Sequence, residues 1–204
     1  MAERTAGPSP RTSRGERTRA RLLAATRRVV AERGYLATRV EDIVAVAGVS
    51  HGTFYTYFDN KAAALHALIA ATAEELQTVV DAPWDGPDGA TAIEAVIGRF
   101  VAVFARNTDV VRAWLEASSQ DPVFAARLDE VRGGYVRRVA EVLAPSLAGS
   151  GHDPVLAATA LVSMVEGALT RTAVHPTGPQ PADVVATLRS LWVGGVVRLG
   201  EDAH

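Results

Sequence analysis

The stretch from Thr38 to Lys61, TRVEDIVAVAGVSHGTFYTYFDNK, decides how the rest of the chain is read. With Gly48 as a corner, Ile43 and Ala47 fall on one face of a helix before it, and Val49, Phe54 and Tyr57 supply the apolar side of a helix after it. Gly48 can take the positive φ that ends the first helix without a Cβ penalty, and Ser50 can cap the second by accepting from a backbone N–H one turn in. Thr38 and Glu41 have capping-box spacing for the first helix, with Arg39 or Val40 as alternative boundaries. Two short crossing helices of this kind make a helix-turn-helix, whose second helix is the kind that enters a DNA major groove.

The same residues spell a rival. Gly48-Val49-Ser50-His51-Gly52 is a literal G-x-S-x-G, the nucleophile elbow of serine hydrolases, and IVAVAGV before it can be drawn as a strand leading to a catalytic Ser50. An elbow needs a parallel sheet around it and an oxyanion loop upstream. The first fifty residues offer an arm and one amphipathic helix, with no second strand-like run. No catalytic residue is therefore assigned and an enzyme is not expected. A helical adaptor whose second helix binds protein is a third reading.

The run V-x-D-I-x-x-x-A-G-V-S-x-G-T-F-Y-x-Y-F-x-N-K, Val40 to Lys61, resembles the DNA-binding signature of the TetR/AcrR repressors, departing from it at Val44 and His51. The resemblance implies an all-α protein: an N-terminal three-helix helix-turn-helix domain followed by a C-terminal helical bundle for ligand binding and dimerisation. It implies a homodimeric repressor on a palindromic double-stranded operator, released by a small hydrophobic ligand. His51, Thr53, Tyr55, Thr56 and Tyr57 would reach bases or phosphates, with Arg39, Ser50 and Lys61 mainly on phosphates. Lys61 stands at the start of the next helix, where backbone N–H groups and an ammonium would act together on an anion.

Composition agrees with a globular regulator. Of 204 residues, 48% are hydrophobic and 22% charged, enough for a sizeable core. There is no cysteine, and the five histidines show no i, i+4 pair, so neither a disulfide framework nor a metal site is expected, and no cofactor is implied. No apolar run has the length of a membrane span and no signal-peptide segment is seen, so a cytoplasmic location is expected. Residues 1–61 carry 11 Lys and Arg against 6 Asp and Glu, and residues 62–204 carry 10 against 17. The positive part is the part with the helix-turn-helix, as steering towards phosphates favours.

Upstream, residues 1–15 have the Pro, Ser, Thr and Arg content of a disordered basic arm, with Arg11 and Arg14 able to reach DNA. Glu16 to Arg33 follows helical spacing and completes a DNA-binding domain over 16–61. Downstream, 62–81 reads as a connecting helix, which in the resembled family moves when the pocket fills. The break APWDGPDGA at 82–90 marks a domain boundary. A ligand-binding and dimerisation domain spans 91–200, with Asp121-Pro122 and Asp153-Pro154 starting two of its helices.

Residues 155–172, VLAATALVSMVEGALTRT, are apolar nearly all round, so such a helix must be covered on both sides. Together with the last helix it suggests a two-fold four-helix bundle, with Leu161, Val165, Leu169, Val185, Leu188 and Val196 at the dimer interface. Candidate ligand-binding residues are Phe100, Phe104, Trp114, Tyr135, Met164, Glu166 and Trp192. The pattern around Met164, Glu166 and Leu191-Trp192 resembles the ethionamide-resistance-repressor branch of the family. Glu166 is the only charged side chain between Pro154 and Arg171, and a carboxylate there demands a partner, a proton or a water-filled cavity unless it faces solvent at the dimer rim.

Overall fold

The computed structural model describes residues 10–84, 89–174, 181–192 and 194. Among them the chain forms nine helices and no strand: α1 Pro10–Arg33, α2 Val40–Ala47, α3 His51–Tyr57, α4 Lys61–Asp81, α5 Gly89–Arg106, α6 Thr108–Ser118, α7 Pro122–Leu143, α8 Pro154–Val174 and α9 Pro181–Trp192. Two compact units result, Met1–Ala70 and Ala71–His204, and the division falls inside α4 rather than at the 82–90 break. Leu76 and Val80, in the second half of α4, are buried in the second unit's core, which is why the break does not mark the boundary.

In the first unit α1 starts at Pro10, six residues before the apolar spacing begins, because Pro in a first helical turn loses no hydrogen bond. Residues 1–9 of the expected arm, including Arg4, lie outside the described residues. The core gathers Leu22, Ala25 and Val29 of α1, Ile43, Val44 and Ala47 of α2, Phe54 of α3, then Phe58 and Ala64. Gly48 has φ 62°, and its N–H and that of Val49 close the α2 C-terminus on Ala45 and Val44 carbonyls. Arg21 of α1 donates to the exposed end of the same helix, the Ala47 carbonyl, at 2.6 Å.

The α2 start differs from the Thr38–Glu41 expectation. Thr38 is buried and its hydroxyl donates to the Gly34 carbonyl at 2.7 Å, so it closes the end of α1 instead. Arg39 is the cap residue, and Asp42, one turn in, accepts from the Arg39 N–H at 3.2 Å while pairing with Arg33 at 2.8 Å. Arginine has no acceptor to return the bond, so only half of a capping box exists.

In the second unit α7 lies against α8 and α5 against α9 around one core that includes Ile97, Phe104, Val139, Leu161 and Leu188. Asp121 and Asp153 accept from Val123 and Val155 N–H at 2.9 and 2.7 Å, capping α7 and α8 where the Asp-Pro pairs predict. Asn107, buried at the α5–α6 corner, is satisfied by the Val103 carbonyl at 3.1 Å and Glu75 of α4 at 3.2 Å. Trp114 of α6 is buried, and its indole N–H donates to the Phe124 carbonyl of α7 at 3.1 Å.

The dimer-face assignment needs correction. Leu161, Val165, Leu169 and Leu188 are buried inside the unit's own core, Val185 is half-buried against it, and Val196 lies outside the described residues. A side chain enclosed by its own subunit has no surface to offer another. The outward face of α8 is instead Val155, Leu156, Thr159, Ala160, Ser163 and Gly167, with Leu156 69% exposed. From Ala160 on, the large residues Leu161, Val162, Val165 and Leu169 took the inside and the small Ala160, Ser163 and Gly167 the outside, a division that an all-apolar pattern hides.

Trp114 combines a filled core volume with a satisfied indole, so Trp114→Ala opens a cavity and removes a buried hydrogen bond. The expected loss is about 3–5 kcal/mol, read as a lowered denaturation midpoint of the second unit; a loss below about 1 kcal/mol would contradict this placement.

Candidate nucleic-acid interface and interior cavities

The seven residues of α3 present His51, Gly52, Tyr55 and Thr56 outward, one face of a helix at i and i+4 spacing. Tyr55 is 55% exposed and its ring meets the buried Phe54 edge-on at 5.5 Å, which holds the exposed phenol in one orientation. The Thr56 hydroxyl donates to the Gly52 carbonyl at 2.9 Å, leaving its oxygen as an acceptor and its methyl as an apolar contact. Ser50 caps the helix, accepting from Thr53 N–H at 3.1 Å, with the Thr53 hydroxyl 3.0 Å away. The Ser50 oxygen therefore serves a helix end, and the strand an elbow requires is absent among the described residues. Tyr57 is half-buried against the core and Arg39 is exposed.

Lys61 occupies a different role from the phosphate ligand the sequence suggests. Its ammonium donates to the carbonyls of Thr38, Tyr35 and Leu36 at 2.8, 3.1 and 3.2 Å, and sits 4.7 Å from the centre of the Tyr35 ring. An ammonium has three donors, so none is left over for a phosphate. Desolvation by burial lowers its pKa from the ordinary 10.5, consistent with a charge held in the protein rather than offered to solvent.

Two cavities lie within the second unit. One is a half-open cleft with a cavity volume of about 40 Å³, walled by Val80, Trp84, Ile97, Val162, Trp192 and their neighbours. The other, about 50 Å³, is walled by Leu76, Phe104, Trp114, Leu128, Arg132 and Thr170 among others. Phe100, Tyr135 and Glu166 belong to both walls. Of the ligand-site residues expected from sequence, Met164 is in neither wall; it packs against the surrounding core.

Glu166 has the partner its position demands: Arg132 of α7 donates to it at 2.6 Å. Arg132 escaped the sequence reading because a charge on α7 carries no sign of which helix it faces. Trp84 was overlooked as part of the Pro/Gly-rich break, although a tryptophan in such a segment is itself a signal of burial; it stacks on Trp192 with ring centres 6.4 Å apart. Among the described residues, the Tyr135 hydroxyl and Trp192 indole N–H are buried without a hydrogen-bond partner. Burial, with Glu166 adding to it, pushes the Tyr135 phenol well above its ordinary 10, so its proton stays on. Among the described residues no cluster of His, Asp and Glu could hold a metal ion, and no helix is long and apolar enough to cross a membrane.

Residues 22–68 match the family model for bacterial regulatory proteins of the tetR family, and residues 90–194 match that for the tetracyclin repressor-like C-terminal domain. The HTH-type transcriptional regulator EthR of Mycolicibacterium smegmatis is 28% identical over 94% of this chain and 95% of its own length. The flavonoid-responsive regulator FrrA has the same fold at TM-score 0.66 and 25% identity, over 90% of this chain and 96% of its own. The fatty acid degradation regulator FadR of Bacillus halodurans superposes at TM-score 0.70 and 19% identity, over 93% and 98%.

The Lys61 geometry predicts that Lys61→Ala and Lys61→Arg both loosen the α1–α2 connection, because a planar guanidinium does not converge three donors on one point. Hydrogen exchange should speed up in the first unit by the equivalent of about 1–3 kcal/mol, with the second unit unchanged. Wild-type protection in the arginine variant would show that charge alone suffices.

Proposed function

The chain belongs to the TetR family of bacterial regulatory proteins and is a DNA-binding transcriptional regulator of the repressor type; we propose that it acts as a homodimer on a palindromic operator and lets go when a small hydrophobic ligand fills the second unit. The observation that carries the DNA half of this reading is the outward face of α3, where His51, Gly52, Tyr55 and Thr56 are exposed on a helix capped by Ser50 and braced by Phe54. Tyr55 and His51 supply hydrogen bonds to bases or phosphates, and the Thr56 methyl suits a thymine methyl. Arg39 contacts phosphate. Such a protein works in the cytoplasm, where operator DNA is.

The dimer is assigned to the outward faces of α8 and α9. Leu156 and Leu191 are exposed apolar residues there, and Ala160, Ser163 and Gly167 allow another backbone to come close. A two-fold pair of heads reads half-sites about 34–36 Å apart or a multiple of that spacing.

Release rests on α4. Its first residue, Lys61, holds the α1–α2 connection, while Leu76 and Val80 near its other end wall the two cavities. A ligand preferring the displaced position of this helix about 100-fold supplies roughly 2.7 kcal/mol, within the range of allosteric coupling. The flavonoid response named for the 25% identical FrrA supports a small-molecule effector.

Two measurements test the reading. Operator titrations across salt concentration should show the slope of Arg39→Ala reduced by about one and that of Lys61→Ala unchanged; the reverse pattern would return Lys61 to the phosphates. Gly167, where an added Cβ meets nothing within 4 Å, accepts a large side chain without strain. Gly167→Arg should give folded monomers that lose specific operator binding, whereas Leu188→Asp should unfold the second unit. A Gly167→Arg dimer with full affinity would place the interface elsewhere.

A further inference from the structure

The part of α1 that precedes its core residues runs along the helix-turn-helix, and two contacts fix its course. Arg21 donates to the Ala47 carbonyl at 2.6 Å, beside the Gly48 corner where α2 ends. Six residues earlier, a Cβ added at Gly15 would stand 3.7 Å from the hydroxyl of Tyr57, the last residue of α3. Six residues rise about 9 Å, and the seven residues of α3 about 10 Å. This edge of α1 therefore accompanies α3 from its approach to its last residue. At about 100° per residue, Arg14 shares the Arg21 edge of the helix, and Arg17 stands next to it. Gly15 lies at Tyr57 and not at Tyr55 or Thr56, so the edge flanks the outward face of α3 and leaves it open.

The arginines of this stretch divide by what they touch. Arg21 serves the Ala47 carbonyl, and Arg19 lies over the Phe58 ring, 5.5 Å from its centre. Arg14 and Arg17 are exposed and, among the described residues, have neither an acidic partner nor a ring. The acid between them, Glu16, stands about 200° around the helix from Arg14. Resting on the DNA reading argued above, we propose that Arg14 and Arg17 are a second, rigid phosphate contact of the first unit, binding the DNA backbone beside the groove that α3 enters. Guanidinium groups pair with phosphate oxygens through two N–H bonds at once. The composition of residues 1–15 suggests a free arm, but α1 begins at Pro10. A helical edge delivers its charges to one place beside α3, whereas a free arm would search the neighbouring minor groove.

The test is fluorescence anisotropy of the full chain across salt concentration, on a duplex that the wild type selects from a random-sequence pool and on an unselected duplex. Arg14→Ala and Arg17→Ala should each weaken both complexes by about 3–10-fold and lower the salt slope by about one. The ratio of the two affinities should stay at its wild-type value, because phosphates carry no sequence. Melting temperatures should stay there too, since neither side chain holds another part of the protein. An alanine inserted between Arg17 and Thr18 turns both arginines by about 100° and leaves Leu22 and the core behind it in place. It should weaken binding as much as the double variant Arg14→Ala/Arg17→Ala does. Unchanged salt slopes in both single variants would overturn the proposal, as would an insertion without effect, the result a free arm gives. A changed affinity ratio would also overturn it, making these side chains readers of bases. Failure of the wild type to bind either duplex would instead refute the DNA reading on which the proposal rests.

Discussion

Three carbonyls converging on one ammonium hold the DNA-reading unit in shape. Tyr35, Leu36 and Thr38 follow the last turn of α1; the Tyr35 oxygen accepts from the Thr38 N–H at 3.2 Å, and Lys61, at the first position of α4, donates to all three oxygens. The chain has 21 basic residues, and Lys61 is its only lysine. A guanidinium spreads its donors in a plane, whereas an ammonium places three within reach of one point, so the exception to the arginine usage falls where geometry requires it. Through this contact the start of α4 is tied to the connection that precedes the helix-turn-helix.

The second unit obeys a different constraint. Its polar groups were accommodated where a partner could be had: Asn107 between α4 and α5, Trp114 on α7, Glu166 on Arg132. Tyr135 and Trp192 were not, and both stand at the cavities. A fold that satisfies most of its buried groups carries the cost of the two donors it leaves unpaired.

The two faces of α8 give the clearest lesson about apolar helices. Leu161, Val162, Val165 and Leu169 point into the core, and Ala160, Ser163 and Gly167 point out. Hydropathy treats alanine, glycine and valine as kin, so the helix looks uniform on that scale. Packing separates them along this stretch, where the larger side chains face the core.

By itself the sequence determined the helical class, the corner at Gly48, the Ser50 cap, the Asp121 and Asp153 caps and the family signature from Val40 to Lys61. These are local: each depends on residues within one or two turns of each other, and the chemistry of a cap or a positive φ leaves a mark at a fixed spacing. Tertiary structure alone decided that Lys61 serves carbonyls 23 to 26 residues upstream, that Arg132 is the partner of Glu166 across 34 residues, and which side of α8 is buried. It also set the division of the chain inside α4, because the burial of Leu76 and Val80 depends on helices far along the chain. A hydrogen-bond donor or an apolar side chain announces that it needs a partner, but the partner's identity is fixed only when distant segments pack together.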